Sequence, residues 1–183
     1  MTSILLHDYV EQVEKLIDAD RLVEAIEHCR HILSHYPRHI DTYRALGKAL
    51  LEKQDYSAAS DLFLRILGAE PNDFISHVGL SIIYKDQSQY DQALWHLERA
   101  HEIQPYNIAI QGELRELYAA TTDSRPGIIP LTPGALARLY VQGELYQQAI
   151  LELRRILADE PERFDLQVLL AEALWRDDQR IDA

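Results

Sequence analysis

An all-α solenoid of helical hairpins is predicted for this chain of 183 residues by three observations. Pro37, Pro71 and Pro105 stand 34 residues apart, and Ala25, Ala59 and Ala93 keep the same step. Between these markers the apolar residues recur at helical rather than strand spacing. A further Ala and Pro, Ala149 and Pro161, follow the third pair by 56 residues, which is one period plus an interruption of 22. Self-similarity at a fixed period of about 20–50 residues marks a repeat array, in which each unit buries its apolar face only against its neighbours.

The first copy, residues 6–39, carries Tyr9, Leu16, Ala25, Cys29, Ile32 and Pro37, with Gln12 and Val13 where the next copy has Leu and Gly. Terminal repeats are often atypical because one face meets water. The second copy, residues 40–73, predicts one helix from Tyr43, Leu46, Gly47 and Leu50 and another from Ala59, Phe63, Ile66 and Leu67. Gly47 lacks a side chain where a neighbouring helix must come close. A polar turn around Gln54 and Asp55 separates the two helices, and Pro71 closes the unit because it cannot continue a helix and disfavours helical geometry at Glu70. The third copy, 74–107, repeats the scheme with Leu80, Tyr84, Tyr90, Ala93, Leu97, Ala100 and Pro105.

A fourth copy begins at 108 with Leu114 and Tyr118 in first-helix positions, but Pro126, Gly127, Pro130 and Pro133 forbid a regular second helix. Residues 1–121 therefore hold three repeats and a single first helix, and 122–131 form an insert, either a loop that leaves the solenoid intact or a hinge near residue 121. Ile128, Ile129 and Leu131 are apolar enough that some of them are expected to pack on a neighbouring helix. Thr132 followed by Pro133 makes a helix start, an N-cap with proline in the first turn. A complete repeat then fills 132–163, with Leu136, Ala137, Tyr140, Tyr146, Ala149, Leu153, Ile156 and Pro161. Residues 164–183 restart the unit with Leu170, Ala171 and Leu174, and Ala183 falls where the next small residue belongs. The chain is expected to stop inside a unit, leaving Leu174 and Trp175 uncovered, and a homodimer through the same end of a second copy follows as an expectation.

Tyr43-x2-Leu46-Gly47-x2-Leu50, Ala59-x3-Phe63 and Pro71 resemble the tetratricopeptide repeat, whose pattern is W-x2-L-G-x2-Y, A-x3-F and P in a 34-residue helix-turn-helix. The resemblance implies a right-handed superhelix, here of about five units with one interrupted, whose first helices line a concave groove. It also implies that partner contacts come from first-helix positions left free by packing. On that basis Arg44, Lys48, Val78, Ile82 and Lys85 are the candidate site, a small basic patch with apolar neighbours. It suits an acidic or carboxylate-ended peptide anchored on Val78 and Ile82. Some members of the family clamp chaperone C-terminal carboxylates with Lys and Asn on the first helix. Val10 and Glu14 hold those places here, and that function is not expected.

The net charge of −12, from 30 acidic and 18 basic residues, disfavours nucleic acid and anionic membranes as partners. No apolar run approaches the roughly 20 residues of a membrane helix and no leader opens the chain, so a cytoplasmic location is expected. Cys29, alone in a helical apolar pattern, is a core residue rather than a nucleophile. His31 and His35 share a helix face near His28 and His39, but no pattern supplies further ligands, so the histidines are assigned to a solvated face and no metal is expected. Neither a phosphate loop nor a G-x-S-x-G elbow occurs, and neither a cofactor nor catalysis is expected. Tyr43, Tyr84, Tyr118 and Tyr140 are read as repeat residues buried between helices. The function predicted is a non-enzymatic protein–protein interaction scaffold; the alternative is a regulatory or targeting module of a larger enzyme whose catalytic domain lies outside this chain.

Overall fold

The computed structural model describes residues 5–122 and 127–178. Among them are ten α-helices and no strand. Two hairpins open the chain, α1 (Leu6–Asp18) with α2 (Leu22–His35) and α3 (Ile40–Glu52) with α4 (Tyr56–Ala69), and α5 (Phe74–Asp86) and α6 (Tyr90–Ile103) follow. A single helix, α7 (Ile108–Thr122), precedes the insert; α8 (Pro133–Gln142), α9 (Tyr146–Asp159) and α10 (Phe164–Arg176) follow it. By packing, the chain forms two compact units, Met1–Ala93 and Leu94–Ala183.

In the first unit each helix packs on the next, and the first helices also touch one another, α1 on α3 and α3 on α5. Contacts of this kind make an all-α helical-hairpin solenoid, because every hairpin buries its apolar stripe against its neighbour. The periodic alanines Ala25, Ala59, Ala93 and Ala149 are all fully buried, and their small side chains allow close helix approach. Gly47 is close-packed as expected, but what approaches it is a ring. A Cβ on Gly47 would lie 2.6 Å from Phe63, and one on Gly79 would lie 2.4 Å from the other edge of the same ring. The ring is thus held between α3 and α5.

Cys29 is fully buried, and burial pushes its thiol up to about 12. It carries no thiolate at neutral pH. A thiol reagent is expected to leave it unmodified until the protein is denatured, and labelling of the native protein at the rate of a free thiol would contradict this burial.

The period recurs in the backbone. Asp20, Gln54 and Ser88 take left-handed φ values of 58°, 62° and 59° between the helices of successive hairpins, and Glu144 and Asp178 repeat this at 60° and 64°. It recurs again in a hydrogen bond. Each repeat proline exposes a carbonyl that has no partner in the helix before it. Tyr43 Oη donates to Pro37 O (3.0 Å), His77 Nε2 to Pro71 O (3.2 Å), Gln111 Nε2 to Pro105 O (2.7 Å) and Gln167 Nε2 to Pro161 O (2.7 Å).

In the second unit α8, α9 and α10 pack around Ala137, Ala149, Leu153, Leu166 and Ala173. Thr132 caps α8 as expected, its Oγ1 accepting from the Ala135 amide at 3.1 Å with Pro133 in the first turn. Other expectations need correction. Ile128 is 84% exposed and Leu131 is 49% exposed, leaving Ile129, half-buried, as the packed member of the three. Leu174 is buried, because α10 lies against both α8 and α9, whereas Trp175 is exposed. Tyr43, Tyr84, Tyr118 and Tyr140 are half-buried rather than buried. Two of them show why, since their hydroxyls must reach polar partners, Tyr43 at Pro37 O and Tyr118 at Glu98 (2.7 Å). Pro126 and Ala183 lie outside the described residues.

Candidate functional site

Four of the five candidate residues fall in two columns one period apart on successive first helices, Val10, Arg44 and Val78 in one and Glu14, Lys48 and Ile82 in the other, with Lys85 outside both. The stacking of α1, α3 and α5 brings the columns together, and their charges have largely found partners already. Arg44 forms ion pairs with Asp41, Glu70 and Asp73. The Asp73 side chain is nearly fully buried, and it also caps α5 by accepting from the Ser76 amide at 2.8 Å. Burial alone would lower the Arg44 pKa, but the hydrogen bonds and charges of these carboxylates raise it above the ordinary value. Arg44 is therefore a brace between α3 and the α4–α5 turn. Lys48 Nζ lies 3.3 Å from Glu14 Oε1. Val78 is half-buried, Ile82 is 47% exposed and Lys85 is exposed.

The second unit holds a polar constellation that the motifs did not point to. Glu102 on α6 is buried, and it accepts from Arg99 Nη2 (2.9 Å), Thr132 Oγ1 (2.8 Å) and Arg163 Nη2 (2.6 Å). Arg163 continues to Asp165 in a two-pronged contact of 2.8 Å on each prong, and Arg138 Nη2 reaches the same carboxylate at 2.9 Å. Gly134 makes the approach of Glu102 feasible, since a Cβ there would lie 2.6 Å from its Oε2. The network binds α6, the start of α8 and the α9–α10 turn. Its buried acids and bases pair their charges with one another, which is the condition for burying charge at all, while Arg99 Nε is left without a hydrogen-bond partner.

The histidines are engaged individually. His28 Nδ1 lies 2.7 Å from Tyr9 Oη, His35 Nδ1 lies 3.0 Å from the His31 carbonyl, and His39 Nδ1 lies 2.8 Å from Thr42 Oγ1. Among the described residues no group of three or more His, Cys, Asp or Glu side chains is arranged to hold a metal ion, and no helix is long and apolar enough to cross a membrane.

Two family models, both of the tetratricopeptide repeat, match residues 16–78 and 135–182, together more than half of the chain. The chain belongs to the tetratricopeptide repeat family. Comparison with curated proteins gives no match. Solved structures show the same fold at low identity. A thermophilic tetratricopeptide protein of Thermus thermophilus, TTC0263, is 18% identical with a TM-score of 0.55, over 92% of this chain and 98% of that one. MamA of AMB-1 is 17% identical with a TM-score of 0.52, over 96% of this chain and 90% of that one. The structure of Naa15/Naa10 bound to HypK-THB is 17% identical with a TM-score of 0.57 and covers 94% of this chain. The present chain spans only 23% of that neighbour's length. The tetratricopeptide fold supports a protein–protein interaction scaffold.

Proposed function

We propose that this tetratricopeptide protein is a non-catalytic scaffold that holds a peptide or helix of a partner protein against α3 and α5. The observation that carries the proposal is the apolar pair on α5, half-buried Val78 and exposed Ile82, set beside cations that are already paired. Apolar anchoring leads in such a groove. A partner bound to a larger relative, HypK-THB on Naa15/Naa10, fits a scaffold of this kind.

Val78→Asp combined with Ile82→Asp is expected to weaken a partner captured by the wild-type protein at least about tenfold, with helix content unchanged. Equal retention of every captured partner would rule out this groove. Arg44→Glu is a poor probe of binding. It turns a brace into a fourth carboxylate beside Asp41, Glu70 and Asp73, and is expected to cost about 2–3 kcal/mol of stability in a urea titration, toward the low end for a broken pair because Arg44 is only partly buried.

A further inference from the structure

A separate feature of the first unit shares no residue with the groove. Ile40 and Tyr43 of α3, Leu62, Ile66 and Ala69 of α4, and the Pro37–Arg38 turn enclose a pocket of about 430 Å³. Its wall is fixed, because the Tyr43 hydroxyl is bonded to the Pro37 carbonyl and holds the ring and the turn together. Ile66 is buried beneath it, and Ile40, Tyr43 and Leu62 are half-buried. Two exposed arginines stand at its rim, Arg38 and Arg65, the latter with its guanidinium 5.9 Å from the centre of the Tyr43 ring. The lining contains no carboxylate.

That composition is unexpected in a chain with 30 acidic and 18 basic residues. Arg21, Arg44, Arg155 and Arg176 all lie within ion-pair distance of an acid. Arg38 and Arg65 have no such partner among the described residues, so each keeps its full capacity for a two-pronged carboxylate contact. A volume in the range of roughly 300–1,000 Å³ suits a small ligand or one or two large side chains, and excludes a whole helix. We propose that this pocket is a second docking site, for an acidic peptide segment of a partner protein. A large apolar side chain fills the hollow over Ile66, and carboxylates flanking it in the peptide meet Arg38 and Arg65. The site stands independently of the groove on α3 and α5.

The test uses the whole chain and defined probes: acetylated, amidated pentapeptides in which Trp, Leu or Ala is flanked on each side by two Glu, and a Trp peptide flanked by Lys. Saturable binding of the Glu-flanked Trp and Leu peptides is expected, about tenfold or more weaker for Ala and for the Lys-flanked peptide, and weakening further as salt screens the arginines. Arg38→Glu with Arg65→Glu should reduce binding at least about tenfold, and Arg38→Gln with Arg65→Gln by less, both with helix content and thermal midpoint unchanged because the two side chains are exposed. Ile82→Asp should leave binding intact. The proposal is overturned by no saturable binding at millimolar peptide, by equal binding of the Lys-flanked peptide, by indifference to the charge reversal, or by loss of binding in Ile82→Asp, which would assign the peptide to the groove.

Discussion

Phe63→Ala is expected to destabilise the first unit by about 5 kcal/mol, the upper end of the range for truncating a buried aromatic. The side chain is fully buried, and the residues facing it on either side are glycines, Gly47 on α3 and Gly79 on α5. Neither can reach into the space that the ring vacates. The cavity closes only if the two helices move together, and α3 is also held by α1, α2 and α4 and α5 by α4. Urea titration followed by circular dichroism measures the effect, and a loss under about 1 kcal/mol would mean that the helices collapse freely onto the gap. The converse substitution, Gly79→Ala, drives a methyl into the ring and should cost about 1–3 kcal/mol by overpacking. Because both report on one contact, Phe63→Leu should relieve part of the Gly79→Ala penalty. The consequence reaches function, since the same two helices carry the proposed groove.

Arg163→Leu is expected to cost about 3–5 kcal/mol in the second unit, because it strands the Glu102 and Asp165 carboxylates away from water without their shared cation. Adding Glu102→Leu should cost less than the sum of the two single changes, since an apolar pair replaces an ion pair. The pH dependence follows from Asp165. Burial raises its pKa, but the hydrogen bond and charge of Arg163, with Arg138 and Arg99, outweigh burial and hold the carboxyl below its ordinary value of 3.8. A depressed carboxylate pKa stabilises the fold above the unfolded value and ceases to do so as pH falls through the folded value. Wild-type stability should therefore decline on acidification below about pH 4, and the decline should be smaller in Arg163→Leu. A cost under about 1 kcal/mol, as for exposed ion pairs, or the same acid decline in both proteins, would show that the network contributes little.

The hairpins were legible because their signal is local. Pro37, Pro71 and Pro105 punctuate the chain, Ala59 and Phe63 report helix crossings, and Thr132 with Pro133 announces α8. The charge pairing of the site was not. Along its own helix Arg44 shows only Asp41 as a partner and Lys48 none, and the other carboxylates that pair with them lie 26, 29 and 34 residues away. The Glu14–Lys48 pair was nevertheless open to inspection, since opposite charges one period apart on first helices must meet if the helices stack. The Glu102 network left no such trace. Glu102 and Arg163 are 61 residues apart, across an interruption that destroys the register, and Gly134 discloses its purpose only once Glu102 is beside it. Gly79 was overlooked for a related reason, because its partner ring belongs to the preceding repeat.

The carbonyl of each repeat proline meets a side chain six positions later, and that side chain is Tyr, His, Gln or Gln. By residue identity these positions look unrelated; by what they do, they are one position written in three alphabets. Likeness among the units of this chain is thus better judged by which backbone groups find a donor than by which letters recur. A scan for recurring letters underestimates how faithfully the unit has been copied.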